Sequence, residues 1–148
     1  MSYLIDTNLL LRLAEPKHPM YGTVLNATNV LRKRGELLHI VPQNLIEFWA
    51  VATRPPIHNG LGMTIDKAAD ELMKLQTLFM LLLDESPVFP EWEKLVIQHQ
   101  VRGKQVHDAR IAAAMKVHGV THLLTFNTDD FKRYTDIVAV HPASLAAP

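Results

Sequence analysis

A chain of 148 residues is the length of one domain, long enough to bury about two-thirds of the surface its unfolded form exposes. Hydrophobic residues make up 48% of it, yet no apolar run approaches the roughly 20 residues needed to cross a bilayer. Asp6 breaks the early apolar stretch, which argues against a secretory signal and for a cytoplasmic protein, while the absence of cysteine removes disulfides, thiolate chemistry and Cys-ligated zinc. With 15 basic and 15 acidic residues, no overall positive field draws in phosphates.

In chain order, short apolar runs alternate with helical periods, the pattern of βαβ units around a parallel sheet. Tyr3 to Asp6 reads as a first strand, and Thr7 opens a short helix through Leu13. Residues 21 to 34 read as a helix stopped by Gly35. Leu37 to Val41 is the second strand, and Pro42 starts a helix to about Thr53. Residues 54 to 63 lack any period, and their prolines and glycines mark a loop long enough to suggest a functional role. Thr64 caps the next helix, whose Ile65, Ala68, Leu72 and Leu75 keep the helical period.

Phe79 to Leu83 reads as a third strand. Ser86-Pro87 opens a helix with Val88, Trp92, Leu95, Val96 and His99 on one face. His107 to His118 forms another, closed by Gly119, with Lys116 and His118 suited to its negative end. Thr121 to Thr125 and Ile137 to Val140 supply the fourth and fifth strands, and residues 143 to 148 read as an unstructured tail behind a single domain, 1 to 142. The expected fold is a three-layer α/β/α sandwich.

Four acids sit in or beside these apolar segments: Asp6, Glu47, Asp108 and one of the Asp129/Asp130 pair. Charges are rarely buried without a partner, so carboxylates in core-forming sequence call for an explanation. Asp6 and Asp108 can each serve a helix N-terminus, and Asp129/Asp130 can form a turn. Glu47 resists such a reading, because it is the one polar residue between Leu45 and Ala52. In an open parallel sheet, ligands bind outside the carboxyl ends of the strands, and all four acids can converge there. Like charges brought together favour a shared cation, and hard carboxylate oxygens suit Mg²⁺ or Mn²⁺.

Asp6-Thr7-Asn8, the lone Glu47, His107-Asp108-Ala109-Arg110 and Thr125 to Phe131, in this order along nearly the full length, resemble the PIN domain. More narrowly, the chain is similar to the VapC-type ribonuclease toxins of toxin–antitoxin pairs; Thr53-Arg54-Pro55 and Asn59-Gly60-Leu61-Gly62 resemble a subgroup of them. The resemblance implies an endoribonuclease dependent on Mg²⁺ or Mn²⁺, with Asp6, Glu47, Asp108 and Asp130 as catalytic metal-site residues. It implies Thr7, Asn8 and Thr125 as supporting groups, with Asn127 and Asp129 competing for the fourth place. It further implies a small cognate antitoxin and a homodimer, for which the stretch from Met63 to Met80 offers apolar surface.

Arg12, Lys104 and Arg110 flank the expected crevice and are candidate contacts to RNA phosphates. His107 is a candidate proton carrier or phosphate contact, and Trp49 and Trp92 are expected in the core. Two rival functions are an inactive PIN-like module that binds RNA or protein, and an α/β phosphotransfer domain. Against the second, Asp6-Thr7-Asn8 lacks the second aspartate of an Asp-x-Asp pattern.

Overall fold

The computed structural model describes residues 1–145. Five parallel strands form one sheet in the order β3-β2-β1-β4-β5: β1 Ser2–Ile5, β2 Leu37–Ile40, β3 Met80–Leu81, β4 His122–Leu124 and β5 Val138–Val140. β1 is central, with Leu4 in register with His39 of β2 and Leu123 of β4. Six helices cover the two faces: α1 Thr7–Leu13, α2 Tyr21–Lys33, α3 Pro42–Thr53, α4 Ile65–Leu78, α5 Val88–Gln98 and α6 Gln105–His118.

Alternation along the strands assigns side chains to two cores. Tyr3, Ile5, Leu38, Ile40 and Leu124 pack beneath α1, α2, α3 and α4, around Leu10, Leu31, Phe48 and Leu75. Leu4, Val41 and Leu123 face the other way, against Leu95 of α5, the alanine-rich α6 and Phe131. The three-layer α/β/α sandwich expected from the apolar rhythm is therefore the observed fold. Each half-domain feeds its next helix from the carboxyl end of a strand, so loops carrying polar residues gather at that edge.

Several local expectations shift. The third strand was expected over residues 79 to 83 but spans two residues, because Phe79 ends α4, its N–H donating to Leu75 O at 3.0 Å, and the pairing stops after Leu82 N donates to Ile40 O. Asp6 follows β1 as the N-cap of α1, and α6 begins at Gln105, two residues before the expected start. The expected tail is ordered at its beginning. Pro142–Ser144 form a 3₁₀ turn, Leu145 is buried, and Asn26 Nδ2 donates to the Leu145 carbonyl at 2.9 Å; residues 146 to 148 lie outside the described ones.

Residues 54 to 63 fold back on the end of α3. Leu61 N donates to Val51 O at 3.0 Å, Met63 N to Ala52 O at 2.8 Å and Gly62 N to Arg54 O at 2.9 Å. The loop thereby satisfies helix carbonyls that would otherwise be left open. A Cβ on Gly60 would stand 1.8 Å from the Arg54 carbonyl oxygen, so glycine is required for this approach.

Candidate active site

The carboxyl edge of the sheet holds a hydrogen-bonded network built around Asp6. Its backbone N–H donates to Leu124 O at 3.0 Å, anchoring it between β1 and β4. Thr7 N donates to Asp6 Oδ1 at 2.8 Å, the capping bond of α1, and Thr125 Oγ1 donates to Asp6 Oδ2 at 2.7 Å. The capping reading and the site reading of Asp6 are thus both met: one oxygen caps, the other faces Thr125. Thr125 Oγ1 also accepts from Asn127 N at 3.0 Å, which sets the turn after β4.

Thr7 Oγ1 donates to Glu47 Oε1 at 2.8 Å, joining α1 to α3. Two further α3 residues complete the support. Asn44 is fully buried; its Oδ1 accepts from Val41 N at 2.9 Å and its Nδ2 donates to Thr7 Oγ1 at 3.2 Å. Gln43 Nε2 donates to the His107 carbonyl at 2.8 Å and, over a longer 3.4 Å, to Glu47 Oε2. Gln43 and Asn44 were missed in the sequence, although Gln43 and Glu47 stand four residues apart on one helix face, a spacing that brings side chains together.

Burial, opposed by the bonds from Thr125 and Thr7, raises the proton affinity of Asp6, and the charges of Glu47 and Asp130 raise it further. The Asp108 carboxyl, at the first turn of α6, is pushed from 3.8 up to about 6 by burial and then by Asp6, Asp130 and Glu47. Asp6 and Asp108 thus each feel the charges of Glu47 and Asp130. Asp129 is exposed, and its carboxylate pairs with Lys132 Nζ at 2.7 Å. Among the described residues no three acidic or histidine side chains converge tightly enough to hold an ion as they stand. The donor set nevertheless suits a hard divalent cation, being all oxygen and mutually repelling.

The remaining candidates lie at the rim. Arg110 Nη1 donates to Gln43 Oε1 and Nη2 pairs with Asp84 Oδ2, both at 3.0 Å. Arg12 is engaged by His18 at 2.8 Å and Glu15 at 3.2 Å. Lys104 is exposed ahead of α6, and His107 is exposed, its carbonyl held by Gln43. Asn8 Oδ1 is buried with no hydrogen-bond partner, and Asn127 is exposed.

Comparison with known proteins accords with this architecture. Solved structures with a similar fold include VapBC2 from Rickettsia felis bound to a DNA fragment from its promoter (TM-score 0.71, 16% identity, 95% of this chain and 98% of that one). The Sarcin-Ricin loop cleaving toxin VapC20 of Mycobacterium tuberculosis is another (TM-score 0.65, 16% identity, 89% and 95%). A toxin–antitoxin complex from Klebsiella pneumoniae is a third (TM-score 0.62, 21% identity, 95% and 97%). No curated protein sequence matches the chain. The sequence model of the PIN domain matches residues 3–137, spanning β1 to the approach to β5 and every acid of the carboxyl edge, and the chain belongs to that family.

Proposed function

We propose that the chain is a ribonuclease dependent on a divalent cation, Mg²⁺ or Mn²⁺, and the toxin of a toxin–antitoxin pair. The observation that carries this reading is the hydrogen-bonded network at one sheet edge, in which Thr7 bonds both Asp6 and Glu47 and Thr125 bonds Asp6, with Asp108 and Asp130 near enough for their charges to be felt. Family membership and the shared fold of toxins and a toxin–antitoxin complex support it.

In this reading Asp6, Glu47, Asp108 and Asp130 supply the oxygen ligands. Asp130 takes the fourth place ahead of Asp129, whose charge is spent on Lys132, and of Asn127, which brings no charge. A bound cation supplies an activated water and a counter-charge for the leaving oxygen. Thr7, Thr125 and Gln43 fix the acids in orientation, so little reorganisation is needed when a phosphodiester arrives. Lys104, exposed ahead of α6, contacts the RNA backbone. Hydrolysis leaves a 5′-phosphate and requires no covalent intermediate. The partners are RNA, a small antitoxin and a second copy of the chain, in the cytoplasm.

The purified protein should cleave RNA with Mg²⁺ or Mn²⁺ and stop on chelation, and Asp6→Asn should be inactive while folded. Cleavage undiminished by Asp6→Asn would refute the assignment. The alternative of a non-catalytic binding module draws on the lack of a tight three-donor cluster among the described residues; a calorimetric titration with Mn²⁺ that shows no heat favours it.

A further inference from the structure

A cavity of about 500 Å³ opens between the start of α5 and the start of α6, beside the acidic edge. Its wall is aromatic. Phe89 is 63% exposed, and its ring lies 5.7 Å from that of Trp92, inclined by 32°. Trp92 Nε1 donates to the Val106 carbonyl at 2.8 Å, which fixes the indole plane. Trp92, expected in the core rather than as a base-stacking platform, is half-buried and lines this cavity. The opposite side is polar, carrying the Arg110–Asp84 pair. The cavity adjoins the support of the candidate active site: His107 and Arg110 line it and both bond Gln43, which reaches Glu47.

We propose that this cavity binds one unpaired RNA base next to the scissile phosphate, a reading that rests on the ribonuclease function above. A base has a flat π-face for Phe89 and Trp92, and an edge carrying both donors and acceptors for Asp84 and Arg110. A phosphate would satisfy Arg110 but be repelled by Asp84, and an aliphatic side chain would use the wall alone and leave the polar edge unmatched. His107 and Arg110, which line the cavity, flank Asp108 along α6, so a base held here lies near the acidic edge. Phe89 and Trp92 are thus specificity residues, acting through the base they hold.

The test uses binding in the full-length Asp6→Asn protein, so that no cleavage intervenes, with fluorescein-labelled single-stranded oligoribonucleotides. Adding Phe89→Ala should raise Kd about 5- to 150-fold, the effect expected for losing one stacked base. Making the RNA abasic at one position should raise it comparably, and the two changes together should add little more. Phe89→Trp should restore binding, and Ile97→Ala on the exposed side of the same helix should change nothing. Unaltered binding by Phe89→Ala, or losses that multiply, overturns the proposal. So does a Phe89→Ala protein that keeps RNA binding but dissociates from a dimer or sheds a co-purifying protein. RNA that is bound in this manner but never cut by the unsubstituted chain upholds the cavity while refuting the nuclease.

Discussion

Thr125 is a fully buried hydroxyl with two duties, donating to Asp6 and accepting from Asn127 N. Thr125→Val keeps the shape but strands both partners, so it should cost about 1–3 kcal/mol in chemical denaturation, with Thr125→Ser recovering most of it. Because the Thr125 bond lowers the Asp6 pKa, the valine variant should also bind a cation less tightly at acidic pH. Asp108 gives a pH signature. Its carboxyl rises from 3.8 to about 6 on folding, so the folded state holds the proton more firmly than the unfolded chain. This contribution to stability is fullest below pH about 4 and falls away as pH rises through 6, by on the order of 1–2 kcal/mol after solvent screening. Asp108→Asn should remove that decline in the metal-free protein; parallel pH profiles for the two proteins would contradict it. Asp6, Glu47 and Asp108 were legible because a carboxylate in apolar sequence is conspicuous. Gln43 and Asn44 were not, since an amide near a helix start gives no sign of being buried until the facing helix is in place. Asp129 and Asp130 are separated only by the 3₁₀ turn Thr128–Phe131, in which Phe131 enters the core.

The helix with the most to hold in place is α3, which supplies Gln43, Asn44 and Glu47 while burying Leu45, Phe48 and Ala52. Both its ends are pinned. Asn44 Oδ1 receives the Val41 N–H at the start, and the backbone of residues 61 to 63 donates to Val51, Ala52 and Arg54 at the finish. The 54-to-63 loop thus acts through the helix it closes, as a splint for Glu47. Gly60→Ala would drive a methyl into the Arg54 carbonyl and should destabilise by on the order of 2–4 kcal/mol, seen as a lowered denaturation midpoint. Midpoints equal within error would mean the loop yields without cost. Most helices were legible from caps and stops such as Thr64 and Gly119, which are local chemistry. The short β3 was not, because five apolar residues in a row fit a helix end and an edge strand equally well. The loop's role was hidden for a related reason: its hydrogen-bond partners lie in the preceding helix, and composition records only that the segment is irregular.

For the molecule as a whole, the raised proton affinities of Asp6 and Asp108 should make the fold less stable near neutral pH than at acidic pH. A cation that binds the folded state alone should raise stability by about 2.7 kcal/mol at 100 times its Kd. Thermal denaturation with and without Mn²⁺ near neutral pH measures this directly, and Asp6→Asn should blunt the gain. The central position of β1 has a temporal consequence. Asp6 is synthesised 119 residues before Thr125, which orients it, and β1 is flanked on that side by β4, which in turn pairs with β5. Pairing between such distant segments is slow and must wait until β4 has been made. A ribosome-bound fragment lacking the last strands therefore holds Asp6 without its partner. Thr125 can hold Asp6 only once the chain has been made through β4, so the order of synthesis leaves this edge incomplete until then.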